Sequence, residues 1–420
     1  MKLLVNICAH DGIESTYAGV GTIVKRYITA IKLILDKHNF IYKINLFTPK
    51  YNEDSFGYDN AVRDGHLSLK NVEVYDISNG SNGTVNFGTI ENWKELCKNT
   101  AEVINQIENK DYDYIITMAN DTPFAGLLPL LNNESNHLKV WIPHSTIKIH
   151  QVDSAVDNKE ESYIERLLWE QNIVDYINNN EKSYLGSTGR YIERHLIDEY
   201  GLLASKSLYI PNGEILEKTR IYDESRDCKK NFEKLKNKEG LVVAFGRAEE
   251  YKNLESVAYV ANELNLTGVL ITKPYFKEQP IIKKYEKLTT SSDTLLFVDV
   301  PFEFPHYIIN HFEKPLIVLI PSKKEIVGLI INEVRKMNKD NVLIVANDIG
   351  GLSEQIIDGI DGVLVNLEDI HESCKKIKKY FNRYDIKRLN NNSQKVLKEK
   401  YNFTNTMERF IIGLTGGFND

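Results

Sequence analysis

The sequence predicts an α/β protein built from two Rossmann-like domains, each a doubly wound parallel sheet. Three observations carry that expectation. Short apolar runs recur along the chain, each with the length and composition of a strand buried on both faces. Between them lie segments with apolar residues at helical spacing, long enough to serve as crossovers between parallel strands. The alternation also runs twice: it starts at Met1, breaks in a Lys-, Glu- and Asp-rich run at 216–239, and restarts at Leu241. At 420 residues the chain exceeds one ordinary core, which agrees with two domains.

Composition narrows the class. A chain that is 42% hydrophobic and 26% charged reads as soluble and globular. A net charge of −7 and a pI near 5.9 exclude the basic footprint of a general nucleic-acid binder. Cys8, Cys97, Cys228 and Cys374 are scattered without C-x-x-C spacing, as expected of reduced thiols in a cytoplasmic protein. Met1-Lys2 leads straight into the first strand, and no apolar run reaches membrane-spanning length.

The first half opens with a strand at Leu3–Ile7, a polar loop at 9–22, a helix at 23–38 and a strand at Tyr42–Phe47. The loop holds Gly19-Val20-Gly21. A dinucleotide site would need a third glycine where Val24 stands and an acid where Thr48-Pro49 follows the second strand, so a nicotinamide reading is poor. His10, Asp11 and Glu14 make a polar cluster in the same loop, facing either a ligand or solvent. They lack a fourth partner and the spacing of a metal site. Lys25, Arg26, Lys32 and Lys37 on the first helix form either a solvated face or a peripheral membrane contact.

Residues 49–90 read as loops around a strand at Val72–Asp76. A helix at 91–109, a strand at Tyr114–Met118, a short helix at 124–131 and a strand at Lys139–Ile142 follow. That strand ends in Pro143-His144-Ser145-Thr146, and a residue at the carboxyl end of a parallel strand faces the ligand side of the sheet. A helix at 162–179, a strand at Ser183–Leu185 and a helix at 189–200, capped by Ser187-Thr188, complete the half. The expected division is 1–208, 209–400, and a C-terminal helix within 401–420.

The second half starts with a strand at Leu241–Phe245, then Gly246-Arg247-Ala248-Glu249-Glu250-Tyr251-Lys252-Asn253 and a helix. Arginine offers a planar fork and lysine a mobile point charge, and both suit a diphosphate. Strands at Gly268–Thr272 and Leu295–Val300 and a helix at 306–311 follow. Leu316–Ile320, a polar loop at 322–325, an amphipathic helix from Val327 to Met337 and Val342–Ala346 then make a strand–loop–helix–strand unit. Glu325 sits in its loop. Glu333 lies on the polar side of its helix, about 9 Å along from Val327. Two acids so placed can grip the hydroxyls of one long polyhydroxylated ligand. Gly350-Gly351 precedes another helix, where free N–H groups suit an anion.

The spacing Glu325-x7-Glu333, with Pro321-Ser322 before it and Gly350-Gly351-Leu352-x-Glu354 after, resembles the donor-site signature of retaining nucleotide-sugar glycosyltransferases. The nearest resemblance is to glycosyltransferase family 4. Further matches lie in order along the chain: the glycine loop, His144, the turn Tyr209-Ile210-Pro211-Asn212-Gly213, Gly246-Arg247 with Lys252-Asn253, and Gly359-Ile360-Asp361-Gly362. Two departures are similar to the trehalose-phosphate-synthase branch. Ile326-Val327-Gly328 replaces Gly-Phe-Gly, and the segment from Glu333 to Gly350 is longer and lacks a Gly-x-Pro turn. Lys273-Pro274-Tyr275 also stands where the family has a glycine-rich turn.

The resemblance implies the GT-B fold, with a donor held between two domains, and a metal-independent retaining transfer to a hydroxyl acceptor. The donor is a nucleotide-diphosphate sugar, with UDP the expected carrier, and no further cofactor is required. By the same resemblance His144 and Glu325 hold the sugar, Glu333 the ribose, and Arg247 and Lys252 the diphosphate. Gly21, Gly246, Gly328, Gly350 and Gly351 line the donor site, and His10, Asp11 and Glu14 lie on the acceptor side. A trehalose-phosphate-synthase-like transferase and a nucleotide-sugar epimerase of the same fold remain as alternatives.

Overall fold

The computed structural model describes all residues except 16–17, 56, 83–86, 108–110, 152–160, 218–224, 275–278, 338 and 416–420. The described residues form two separate, wholly parallel sheets. The first contains β1 (Lys2–Cys8), β2 (Ile41–Pro49), β3 (Val72–Ile77), β4 (Tyr114–Asn120), β5 (His137–Ile142), β6 (Ser183–Ser187) and β7 (Ser207–Tyr209) in the order β3-β2-β1-β4-β5-β6-β7. The second contains β8 (Leu241–Arg247), β9 (Thr267–Lys273), β10 (Thr294–Val298), β11 (Leu316–Ile320), β12 (Val342–Asn347) and β13 (Val363–Val365) in the order β10-β9-β8-β11-β12-β13.

Both orders reverse direction once, between β1 and β4 in the first sheet and between β8 and β11 in the second. Apolar side chains on both faces of the central strands explain why these sheets are parallel and covered: Leu3, Leu4, Val5 and Ile7 are buried, as are Leu316 through Ile320. The reversal is a topological switch point, where helices leave in opposite directions and open a crevice at the strands' carboxyl ends. The charged clusters of the candidate functional site gather around these two places.

The chain divides into two compact units, Met1–Ile215 with Phe403–Asp420, and Leu216–Asn402. Within the first, Arg26 explains why residues 209–215 belong there. It is buried on the first helix, Gly19–Lys37, pairs with Glu214 and donates to the Gly213 carbonyl at 2.8 Å. The Glu214 carbonyl then accepts from Phe403 N at 2.9 Å, and the Phe403 ring packs 5.2 Å from that of Tyr27. These contacts seat the last helix, Phe403–Leu414.

Several expectations need correction. The first helix begins at Gly19, four residues early, so Gly19-Val20-Gly21 lies in its first turn rather than in a loop. Residues 49–90 contain a helix, Asn60–Leu67, capped by Asp59 accepting from Ala61 N and Val62 N. Ser187 and Thr188 do not cap the helix Arg190–Tyr200, whose N-cap is Gly189. The basic row on the first helix is broken: Arg26 turns inward, Lys32 pairs with Asp36 at 2.6 Å, and Lys37 with Glu408 at 2.8 Å. Tyr275 and residues 218–224 of the charged run lie outside the described residues. Among the described residues no helix is long and apolar enough to cross a membrane, and the four cysteines are free and buried.

Candidate functional site

In the second unit the switch point between β8 and β11 gathers charge. Arg247 is the last residue of β8, Lys252 closes a 3-10 turn at Glu250–Lys252, and Glu325 lies in the loop after β11. Lys252 Nζ donates to Glu325 Oε2 at 2.7 Å, with the two side chains only 17% and 19% exposed. Two bonds staple the loops that carry them: Asn253 Nδ2 donates to the Pro321 carbonyl at 3.2 Å, and Lys323 N donates to the Tyr251 carbonyl at 2.7 Å. Asn253 has φ +50°, a left-handed conformation that asparagine tolerates better than most residues. That bend turns its side chain back to β11.

Tyr251 joins the two cations, and the sequence offered no sign of it beyond its place in the motif. Its hydroxyl accepts from Arg247 Nη2 at 2.8 Å, and its ring lies 5.2 Å from Lys252 Nζ. Burial pushes the phenol well above its ordinary pKa, so it stays protonated and neutral between the two charges. Glu249 approaches Arg247 to 3.3 Å. The result is a row of alternating partners, Glu249, Arg247, Tyr251, Lys252 and Glu325.

The glycines divide by what surrounds them. At Gly246 an added Cβ would meet the Leu254 and Lys252 side chains at an ordinary 3.9 Å, so the strand end has room. Gly351 differs: its N–H donates to the Glu325 carbonyl at 2.8 Å, and a Cβ there would land on the Ile326 carbonyl oxygen. The Gly351 amide expected to wait for phosphate instead holds the Glu325 loop. Gly350, at φ +46°, makes the turn that brings it there. Gly328 likewise serves packing, since a Cβ would lie 2.5 Å from Leu352 Cδ2.

Glu333 is also corrected. It is buried rather than on a polar face, and its Oε2 lies 3.2 Å from His306 Nε2. His306 belongs to the helix Phe304–His311 after β10, and its ring stands 6.0 Å from that of Phe245 on β8. Behind Glu333, the buried Arg335 fixes the helix Leu329–Met337 through the Gln355 carbonyl at 2.7 Å and Asp361 at 2.9 Å.

In the first unit the switch point between β1 and β4 holds His10, Asp121 and, one strand on, His144. His10 Nε2 lies 3.8 Å from Asp121 Oδ2, and His144 Nε2 lies 3.4 Å from Asn120 Oδ1. Burial opposes ionisation of Asp121, but His10, His144 and Arg166 outweigh it and hold its pKa below the usual carboxylate value. Burial pulls the His144 imidazole down to about 4 against the opposing Asp121 charge. Asp121 adopts φ +66°, ψ 178°, a backbone state that side-chain-bearing residues rarely occupy. The Ile142 carbonyl accepting from its N at 2.9 Å and Trp141 Nε1 donating to its carbonyl at 3.1 Å hold it there. Nothing in its sequence neighbourhood marked it.

Two residues expected on the acceptor side are structural. Asp11 is buried and accepts from Ser15 Oγ at 2.8 Å, Ala18 N at 2.9 Å and Gly21 N at 3.1 Å. It caps the first helix, and Gly21 is small because a Cβ would strike the Asp11 carboxylate at 2.5 Å. The Gly21 amide is therefore occupied, which corrects its expected role toward a diphosphate. Glu14 is buried against Arg63, which also grips Asp76 through two bonds of 2.9 Å. Among the described residues no group of three or more His, Cys, Asp or Glu is placed to hold a metal ion.

No family model matches the chain, and no curated protein matches it in sequence. Solved structures do. Sucrose-phosphate synthase from Thermosynechococcus elongatus superposes with a TM-score of 0.73 at 15% identity, over 99% of this chain and 100% of that one. A glycosyltransferase from Rickettsia africae ESF-5 gives 0.69 at 14% identity, over 99% and 97%. Anabaena HepE in complex with UDP-glucose gives 0.66 at 16% identity, over 98% and 99%. The fold is GT-B, two Rossmann-like domains of seven and six parallel strands.

Proposed function

We propose that the chain is a retaining glycosyltransferase that moves a sugar from a nucleotide-diphosphate sugar to a hydroxyl acceptor. The observation that carries this reading is the row at the β8/β11 switch point, with the Lys252–Glu325 contact of 2.7 Å at its centre. A cation paired with an acid at the ligand end of a parallel sheet suits a substrate that is anionic at one point and rich in hydroxyls at the next. Arg247 and Lys252 take the diphosphate, and Glu325 the sugar hydroxyls beside it. Glu333 with His306 takes the ribose. A UDP carrier is proposed because Anabaena HepE, of the same fold, is solved with UDP-glucose.

The bond from the anomeric carbon to the phosphate oxygen stretches toward an oxocarbenium-like state, and the phosphate oxygen gains charge as it leaves. Arg247 and Lys252 stabilise that growing charge, which is where a fixed cation lowers a barrier most. The leaving oxygen takes the acceptor hydroxyl's proton, and the acceptor oxygen bonds to carbon on the face being vacated. These two protein cations supply the charge that a metal would otherwise bring. In the first unit His144, neutral at physiological pH, serves the transferred sugar, and His10 serves the acceptor.

A panel of nucleotide sugars scored by thermal stabilisation, followed by transfer with the stabilising donor, tests the reading. Release of nucleoside diphosphate with a product of the donor's anomeric configuration is expected. An inverted product would overturn retention, and isomerisation of the donor without transfer would make the protein an epimerase.

A further inference from the structure

The helices Ile370–Tyr380 and Arg383–Lys400 carry ten lysines and arginines against three acids, in a chain whose net charge is −7. The excess is sided. On the second of these helices Ile386, Leu389, Asn390, Ser393 and Leu397 face the core. Tyr384, Lys387, Arg388, Lys395 and Lys398 fall within about 100° of arc on the opposite side, at 3.6 residues per turn. Lys378 and Lys379 are also exposed, in the last turn of Ile370–Tyr380. Lysines in a last turn also complement a helix dipole, which accounts for Lys378, Lys379 and Lys398. Lys387 and Lys395 stand in mid-helix, and the dipole does not explain them.

The face also has an apolar centre. The turn at 357–361 is tied to both helices: Lys376 Nζ donates to Asp358 Oδ2 at 2.6 Å, Arg388 Nη1 to the Gly359 carbonyl at 3.2 Å, and Asn392 Nδ2 to the Ile360 carbonyl at 2.9 Å. Held there, Ile357 and Ile360 are 43% and 47% exposed, and Tyr384 is 78% exposed. Two isoleucines and a tyrosine beside a row of lysines combine the two attractions of an anionic bilayer surface, headgroup charge and the acyl boundary. Acids near the face are Glu399, exposed in the adjoining arc of the second helix, and Asp340, Asp358 and Asp385, the last three already beside cations: Lys387 at 3.6 Å, Lys376 at 2.6 Å and Arg388 at 3.0 Å.

We infer that this face of the second unit docks on membranes rich in anionic lipid. Eight of the ten cations on the two helices are lysine, a point charge suited to diffuse attraction rather than to the bidentate phosphate contacts that arginine makes. The exposed isoleucines beside these charges also suit an acyl boundary better than a stacked base. The inference is independent of the proposed transfer chemistry, since no residue of the face belongs to the sites at the sheet ends.

Co-sedimentation of the full chain with phosphatidylcholine vesicles, with and without phosphatidylglycerol, tests it. Binding is expected only to the anionic vesicles and should weaken as salt rises. Combined Lys387→Glu, Lys395→Glu and Lys398→Glu changes should lower the affinity by about a hundredfold or more, from roughly fivefold per charge. The pair Lys94→Glu and Lys98→Glu on the helix Ile90–Gln106 should leave it unaltered. If the triple variant fails to fold, each single reversal, a change of two units of charge, should still cost about 25-fold. Equal pelleting with neutral vesicles, no pelleting with anionic ones, an unaffected set of reversals, or tighter binding to an RNA oligonucleotide would each overturn the inference.

Discussion

Replacing Lys252 with alanine removes the cation 2.7 Å from Glu325 and directly beside the Tyr251 ring. A charge-assisted hydrogen bond contributes ~1.5–3 kcal/mol. If Lys252 meets a diphosphate whose charge grows during bond cleavage, most of that contribution belongs to the transition state, and turnover should fall about 10- to 150-fold. The cost to the fold is smaller. Glu325 keeps some solvent contact, which screens its lost partner, so ~1 kcal/mol and a drop of about 2–4 °C are expected. The assay pairs nucleoside diphosphate release at saturating donor with a thermal melt of the same preparation. A Lys252→Ala protein that turns over within twofold of wild type while melting normally would refute the phosphate role. Large destabilisation with proportionate loss of activity would instead mark the pair as a loop staple.

Tyr251→Phe should leave the fold intact and lower kcat/KM about 2- to 10-fold, the worth of the one bond that aims Arg247; unchanged kinetics would show that Arg247 needs no such hold. Gly351→Ala should cost roughly 2–4 kcal/mol in a denaturant titration, because its methyl collides with the Ile326 carbonyl and displaces the Glu325 loop. Normal stability there would mean that the close approach is not required. Burial lowers His144 to about 4 and His137 to about 3, so both are neutral in the folded state below the pH at which the unfolded chain takes up protons. Stability should therefore fall as pH drops from about 6.5 toward 4, by up to ~1.4 kcal/mol per pH unit for each histidine. His137→Gln should flatten that slope, and an unchanged slope would place the acid sensitivity elsewhere.

The strands were legible because a strand covered on both faces must be apolar along its whole length. Leu316–Ile320 and Val342–Ala346 could be read as buried strands without a partner in view, and Arg247, Lys252 and Glu325 were singled out by their resemblance to the family's donor-site motif. Residues whose role is set by a contact distant in sequence were not legible in the same way. Asp11 looked like a ligand-facing acid and proved to be a helix cap; Gly21 looked like a phosphate contact and proved to be the space that cap requires. Glu333 was placed on a polar face by helical phase, but the helix starts at Leu329 and His306 comes from 27 residues upstream to cover it. Asp121 carries no motif at all; only its backbone angle and its two imidazole neighbours single it out.

The amino-acid order by itself determined the two-sheet α/β architecture and the strand ends at which polar residues gather, because burial of both faces of a sheet writes itself into consecutive residues. Only the tertiary structure decided which of those polar residues face one another and which are consumed in holding the loops, because a hydrogen bond depends on ångström-scale approach between segments far apart in the chain. Lys252 and Glu325, 73 positions apart in the chain, close to 2.7 Å only when β8 and β11 lie side by side.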